Sequence, residues 1–496
     1  MKRWPDLVRV DKKFAGELAF IALVFLVMMV FFAEVHPIVL FDSDDWVGLS
    51  KQRNIAFPKW HDHNPIKVLP ESLMPLAAPL AAYFAAPILG DFVSSITWVS
   101  AFFLSCFIAA YAYLFLKVME RNFGLEVWPA CALTLIFLCF HFLIFRQGRF
   151  DSAYLFATPN LTNYYHYTIP ALLNASLVLF FICRRIPGNL RLEGSRWKDA
   201  LLVFALFLAL CSSVLHNIIF MVYILVEFLW HIRRWREQGF YWKLLAAWCV
   251  VLLFEGLGGR AGQMSAGMSG MPVMETFLSL AHVFLQKNTG LFIGLAFLVI
   301  FLVISFFVYR GRREKDDLDA FYKESQQKTF LCAAIWVIYE VLVCAKAGGG
   351  YIDWPDVLIG LFFYLFFLMM SAVAYVFRRK PGALVILPIL SFIVFCRTIN
   401  AQQSLVESTV NRVPPAICAR ISRDIIAQVQ AAEASGARKM ELRVPKGNDV
   451  DNWPHTLYMG EAVSRLLYGQ GLIPYPIEIT IVPDPAMNEE YGMRKP

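Results

Sequence analysis

Three carboxylates crowd the stretch FDSDDW, where Asp42, Asp44 and Asp45 follow directly on a long apolar run. Adjacent carboxylates repel one another. Without a cation or basic group close by, one of them holds its proton to higher pH. That suits a general base working near neutrality, or hard oxygen ligands for a divalent cation. The plainer alternative is a helix start, with Ser43 or Asp44 as the N-cap of a helix through Trp46.

Other reactive types cluster in the next loops. In NPIKVLPE, Asn64-Pro65 favours a turn, and Lys67 and Glu71 stand four apart. They form either an i,i+4 pair or a phosphate-seeking lysine with a carboxylate beside it. His61 and His63 flank Asp62 and could ligate metal on an extended chain. RQGRFD supplies Arg146, Arg149 and Asp151. The guanidinium fork matches phosphate oxygens, whether of a ligand or of lipid headgroups. NYYHY packs Tyr164, Tyr165 and Tyr167 around His166, as an interfacial aromatic belt or a sugar-stacking surface. Arg260 and Lys287 are further cations, and His216-Asn217 sits at a turn between two short apolar runs. Glu227 and Glu340 lie inside apolar runs, where pairing within a bundle competes with function. DWPD, Asp353 to Asp356, reads as a capped turn.

The elements that hold these residues are membrane helices. The chain has 496 residues, 58% hydrophobic and only 17% charged, and a mean hydropathy of +0.55. A soluble domain carries about 25% charged residues. The net charge of +7 sits in short basic clusters between apolar runs, as membrane topology places them, so no nucleic-acid partner is expected. Most of the ten cysteines lie in apolar runs, where they act as small hydrophobes. No Cys/His metal signature appears, nor a Walker, GxGxxG, HExxH or GxSxG motif.

Eleven apolar runs approach spanning length, centred on 17–35, 94–116, 127–145, 169–183, 200–215, 217–230, 244–257, 289–309, 329–345, 356–377 and 382–397. A span needs about 20 apolar residues, with about 17 as a lower limit. The first run is too long for a signal-peptide core and is expected to be a retained span. Basic clusters such as RGRREK at Arg310 place the N-terminus inside and the C-terminus outside. The run 72–90 carries Pro75, Pro79 and Pro87, which kink a helix. Spanning there would turn the basic clusters outward, so it is expected to lie in the outer interface. Outer loops then cover 36–93, 146–168 and 258–288. Residues 398–496 are polar and predict a small outer α/β domain with strands at KMELRVP and PIEITIVP.

A basic N-terminus, one span and an outer loop opening on an acidic pair resemble the GT-C superfamily of polytopic glycosyltransferases. DDW followed by NPIKVLPE and a proline-bearing apolar helix is similar, more narrowly, to bacterial O-antigen glucosyltransferase-like proteins. The architectural likeness covers nearly the whole chain, and the motif likeness about thirty residues. The resemblance implies an all-α bundle of about eleven transmembrane helices over 1–397, with interfacial outer helices. It also implies a polyprenyl-phosphate-linked sugar donor, a glycan or glycolipid acceptor of O-antigen type, and an outer-face site in a bacterial inner membrane. On that reading Asp44 or Asp45 accepts the proton of the attacking hydroxyl. Lys67, Arg146, Arg149 and Arg260 meet the leaving phosphate. Asp42, Glu71, Asp151, Tyr164, Tyr165, His166 and His216 are candidates to line the sugar and acceptor. No cofactor is assigned, and a divalent cation stays open. The rivals are a secondary transporter or flippase, an outer-face acyl or phosphoalcohol transferase, and a non-enzymatic assembly subunit.

Overall fold

The computed structural model describes residues 12–51, 67–143, 154–156, 158, 160–190, 196–258, 273–285, 289–347, 349–385, 390, 393 and 413–493. The protein is a helical membrane protein. Seven of its described helices are long and apolar enough to cross a bilayer: Lys13–Val35, Val68–Leu89, Phe92–Arg121, Leu161–Arg184, Leu291–Arg310, Asp317–Lys346 and Ile359–Arg379. Shorter apolar helices are Val127–Leu143, Val214–Trp230, Gly239–Phe254 and Val273–Leu285. The expected runs 200–215 and 217–230 are divided earlier, because the helix Arg196–Leu210 stops and the next starts after Ser213. Most of the run 382–397 lies outside the described residues.

Burial sorts the long helices. Ile359–Arg379 buries 94% of its most apolar stretch and Leu161–Arg184 buries 78%, against 17% for Lys13–Val35. The first two form the centre of the bundle, and the last turns its side chains outward, as lipid contact permits. Gly360 lets the central helix approach closely: a Cβ there would clash with Trp336 Nε1 and meet Ile219 Cγ1 at 2.7 Å.

Helix α1, Lys12–Val30, packs antiparallel to Phe92–Arg121. At one end Lys117 pairs with Glu17 and with Glu120, and Lys13 lies 3.4 Å from Glu120. At the other end the chain is tied to the C-terminal residues. Ser422 Oγ donates to the Leu40 carbonyl at 2.5 Å, and Arg423 Nε donates to Asp91 at 3.2 Å. Leu40 and Asp91 therefore lie at the same end of the bundle. Between them lie α2, Ser43–Ser50, and α3, Val68–Pro79, which continues through a widened turn, 80–85, to Leu89. The Tyr83 hydroxyl lies 3.4 Å from where a Cβ on Gly471 would stand, so this far part also meets the C-terminal residues.

Three widened turns share one sequence cause. They occupy 31–35, 80–85 and 164–168, and a proline follows two residues after each: Pro37, Pro87 and Pro170. Proline has no N–H to donate one turn back, and an i→i+5 turn re-satisfies the freed carbonyls.

The C-terminal residues form the helix Pro415–Ala434, strand β1 (Lys439–Pro445), the helix Met459–Gly469 and strand β2 (Glu478–Asp484). β1 and β2 pair in parallel, Lys439 opposite Glu478 and Leu442 opposite Ile481. A parallel pair needs a crossover, and Met459–Gly469 supplies it, packing against β2 and α2 with Val463 and Leu466 buried.

Candidate functional site

The acidic run begins α2. Asp42, not Ser43 or Asp44, is its N-cap. Asp42 is extended at φ −88°, ψ 172°, and its Oδ1 accepts from the Asp45 N–H at 3.1 Å. Asp45 answers by accepting from the Asp42 N–H at 3.3 Å, which closes a reciprocal capping box. Ser43 faces away from this turn. Its Oγ donates to the Pro454 carbonyl at 2.8 Å and accepts from the Thr456 N–H at 2.7 Å. The first turn of α2 is thus clamped against the C-terminal residues, and the Phe41 ring sits edge-on to His455 at 4.9 Å.

Asp45 is fully buried and holds four donors. Its Oδ2 accepts from Phe41 N–H at 3.0 Å and from Asp42 N–H. Its Oδ1 accepts from Thr162 N–H at 2.7 Å and Thr162 Oγ1 at 2.9 Å. Thr162 lies in the first turn of Leu161–Asn163, where N–H groups lack helical partners and favour negative charge. Asn160 caps the same turn, its side chain accepting from the Asn163 N–H at 2.8 Å, and its amide also neighbours Asp42. Two helix N-termini therefore meet through one carboxylate.

Burial pushes the Asp45 carboxyl up to about 7, and the Thr162 and Phe41 donors hold it from rising further. Asp42 is raised well above the usual carboxylate range, first by burial and then by the charges of Asp45 and Asp44. With four donors on Asp45 against the Asp45 N–H and the Asn160 amide on Asp42, Asp45 is the charged member of the pair and Asp42 the one that keeps a proton. Asp44, between them in sequence, is exposed. Of the three carboxylates it is the one open to solvent.

The remaining sequence candidates divide. Lys67 and Glu71 form an ion pair at 3.9 Å at the start of α3, which packs on α2. Tyr164 and Tyr165 are buried, and the Tyr165 hydroxyl donates to Ser100 Oγ at 2.9 Å. They form packing walls rather than an open stacking surface. His166 is half-buried in the same widened turn. His216 is buried, with Nδ1 3.2 Å from Ser213 Oγ and Nε2 2.9 Å from the Asp356 carbonyl. Arg146, Arg149, Asp151 and Arg260 lie outside the described residues, as do His61 and His63. Glu227 is paired inside the bundle with Lys328 at 2.7 Å.

Several residues at this face had no role in the sequence reading. Thr162 carries no local signal at all. Asn160 did, as an Asn three residues before Asn163 at a helix start. His36 and Tyr154 are joined at 2.7 Å between Nδ1 and the hydroxyl. Among the described residues no group of three or more His, Cys, Asp or Glu side chains converges as a metal cage. The oxygens of Asp45 are already taken by N–H and O–H donors.

The fold and this face define a polytopic helical membrane protein with a carboxylate-bearing helix clamped between a loop helix and an α/β segment. Comparison with family models, with curated proteins and with solved structures finds no match.

Proposed function

We propose that the protein is an inverting glycosyltransferase. It moves a sugar from a polyprenyl-phosphate-linked donor to a glycan or glycolipid acceptor of O-antigen type, on the outer face of a bacterial inner membrane. The observation that carries this reading is the division of labour on α2. Asp45 is locked by four donors, while Asp44 is exposed one residue away, at the end of the bundle where Leu40 and Asp91 lie and where the C-terminal residues dock.

An acceptor hydroxyl attacks the anomeric carbon, and Asp44 takes its proton. The new glycosidic C–O bond forms as the anomeric C–O bond to phosphate breaks. The electron pair leaves with the lipid phosphate, and the sugar is inverted. Lys67, Arg146, Arg149 and Arg260 are the cations assigned to the departing phosphate. In this account residues 1–397 form the bundle and 398–496 an outer α/β domain, with the N-terminus cytoplasmic. On this reading the segment Val68–Leu89 lies along the outer face, which the bonds of Leu40 before it and Asp91 after it to the C-terminal residues support.

The test is release of polyprenyl phosphate from a panel of polyprenyl-phosphate hexoses by the full chain in proteoliposomes. Release that requires a glycan acceptor is expected. Movement of the donor across the bilayer without release would replace this reading by a transporter. Glu340 gives that second reading its specific support: it is buried in Asp317–Lys346, and its Oε1 has no hydrogen-bond partner, as ion-coupled carriers use.

A further inference from the structure

The end of the bundle opposite α2 gathers arginine. Phe92–Arg121 starts beside Asp91, at the α2 end, and runs to the other. Leu161–Arg184 and Ile359–Arg379 finish there too. Arg121, Arg184, Arg185 and Arg378 stand at these three helix ends, and all four are exposed. Contacts join them. Asn122 Nδ2 donates to the Ile182 carbonyl at 3.1 Å, which ties the first helix end to the second. Arg121 and Arg184 both lie beside Cys183. The Arg185 guanidinium lies over the Phe321 ring at 5.0 Å, and Phe321 meets Phe123 edge-on at 5.4 Å. Gly124 follows Phe123, and a Cβ on it would stand 3.3 Å from Arg378 Nε. Phe123 and Gly124 thus bridge Arg185 and Arg378.

The carboxylates of this end serve other cations. Glu17 and Glu120 hold Lys117, and Asp316 and Asp319 hold Arg312 and Arg379. None of these pairs includes the four arginines. Arginine in a last turn also offsets the helix macrodipole, about half a negative charge per C-terminus. Three such ends and Glu126, exposed in the same loop as Gly124, cancel roughly two and a half of the four positive charges. More than one is left over.

Depth says what neutralises it. The arginines stand where apolar spans stop. Trp128, 51% exposed, is the second residue of the next helix, Val127–Leu143. An exposed tryptophan at a helix end marks the headgroup layer of a bilayer, and the anion of that layer is phospholipid phosphate. Its oxygens fit the edge of a guanidinium, and its single charge matches the surplus. A choline or ethanolamine head brings its own cation, which the arginines repel; a glycerol head does not. Stacking on Phe321 orders Arg185 before a lipid arrives, which lowers the entropy cost of binding.

We propose that Arg121, Arg184, Arg185 and Arg378 form a site for the phosphate of an anionic phospholipid, at the end of the bundle opposite α2. The site is independent of the chemistry at α2.

The test is a lipid titration of the full chain in detergent micelles, read by native mass spectrometry with dioleoyl phosphatidylglycerol and dioleoyl phosphatidylcholine. Phosphatidylglycerol is expected to bind the wild type at least tenfold more tightly than phosphatidylcholine. Arg185→Gln and Arg378→Gln should each weaken it about fivefold, and together about thirtyfold. Arg234→Gln with Arg313→Gln removes the same charge from two other turns at this end, at exposed positions, and should stay within twofold of the wild type. Equal binding of the two lipids by the wild type, or equal weakening in the two double variants, overturns the site. Displacement of phosphatidylglycerol by inorganic phosphate at the same concentration assigns the arginines to a soluble anion and overturns the lipid.

Discussion

Replacing Asp45 by asparagine keeps the shape of the side chain and removes half of its accepting capacity. The remaining oxygen can still serve the Thr162 N–H and Oγ1, but the new NH2 then faces the Phe41 and Asp42 N–H groups. Two charge-assisted hydrogen bonds are lost, each worth about 1.5–3 kcal/mol, and two become neutral at about 1 kcal/mol. Relief of a buried charge offsets part of this. A local loss of about 3 kcal/mol follows, which at about 1.4 kcal/mol per decade is roughly a hundredfold in the opening equilibrium. Hydrogen exchange on the full chain reads it directly. The amides of Phe41, Asp42 and Thr162 should exchange about a hundredfold faster, with Ile359–Arg379 unchanged. Asp44→Asn, at an exposed position, should leave those amides protected. Unchanged protection in Asp45→Asn would refute the clamp, and with it the reason for separating Asp45 from Asp44.

Other outcomes follow from the same contacts. Ser43→Ala removes a buried hydroxyl that bonds Pro454 and Thr456. It should loosen the docked C-terminal residues by about 2 kcal/mol, seen as faster exchange at Thr456 with the bundle unaffected. Asp356 has a folded-state pKa of about 7 against an ordinary 3.8. The folded state therefore holds this proton more tightly than the unfolded one, so the contribution of Asp356 to stability is greatest below pH 4, falls as pH rises towards 7, and levels above it. Asp356→Asn should flatten that fall in thermal-unfolding scans, a difference of up to about 4 kcal/mol. Arg423 and Asp91 are partly exposed, so Arg423→Ala should change stability by less than about 1 kcal/mol. A cysteine at Val450, which is 91% exposed, should be labelled by an impermeant maleimide from outside, in a chain whose native cysteines are replaced. Labelling only from the cytoplasmic side would reverse the orientation.

What could be read from the sequence depended on how local the cause was. Strand β1 is KMELRVP because its alternation buries Leu442 and Val444 and exposes Glu441 and Arg443, a pattern contained in seven residues. Apolar length marked the long helices in the same way. The prolines of 72–90 foretold a disturbed helix, but not that each widened turn would precede a proline by the same spacing. Residue type alone puts the cap of α2 at Ser43 or Asp44, one or two residues after Asp42, the true cap. Ser43 is a good cap by type, and only the C-terminal residues, 411 positions away, draw it elsewhere. Thr162 meets Asp45 across 117 positions, so no window of sequence contains the clamp. Asp356 resembles one more capping carboxylate, yet its Oδ1 accepts only from the adjacent Val357 N–H, and the helix that follows has Leu358 as its N-cap, without a side-chain cap. Its unused Oδ2 is visible only once the surrounding helices bury it.

The measurement that bears most directly on the account is donor turnover in Asp44→Asn, compared with Asp42→Asn, in the full chain reconstituted with a polyprenyl-phosphate hexose and a glycan acceptor. Asp42→Asn should stay active, because an amide replaces a carboxyl that already holds its proton and asparagine caps a helix as well as aspartate does. Asp44→Asn should lose turnover by 100-fold or more, on the order of a lost general base, while donor affinity and the protection of α2 stay unchanged. Turnover in Asp44→Asn within a few-fold of wild type would contradict the assignment of Asp44 as the proton acceptor.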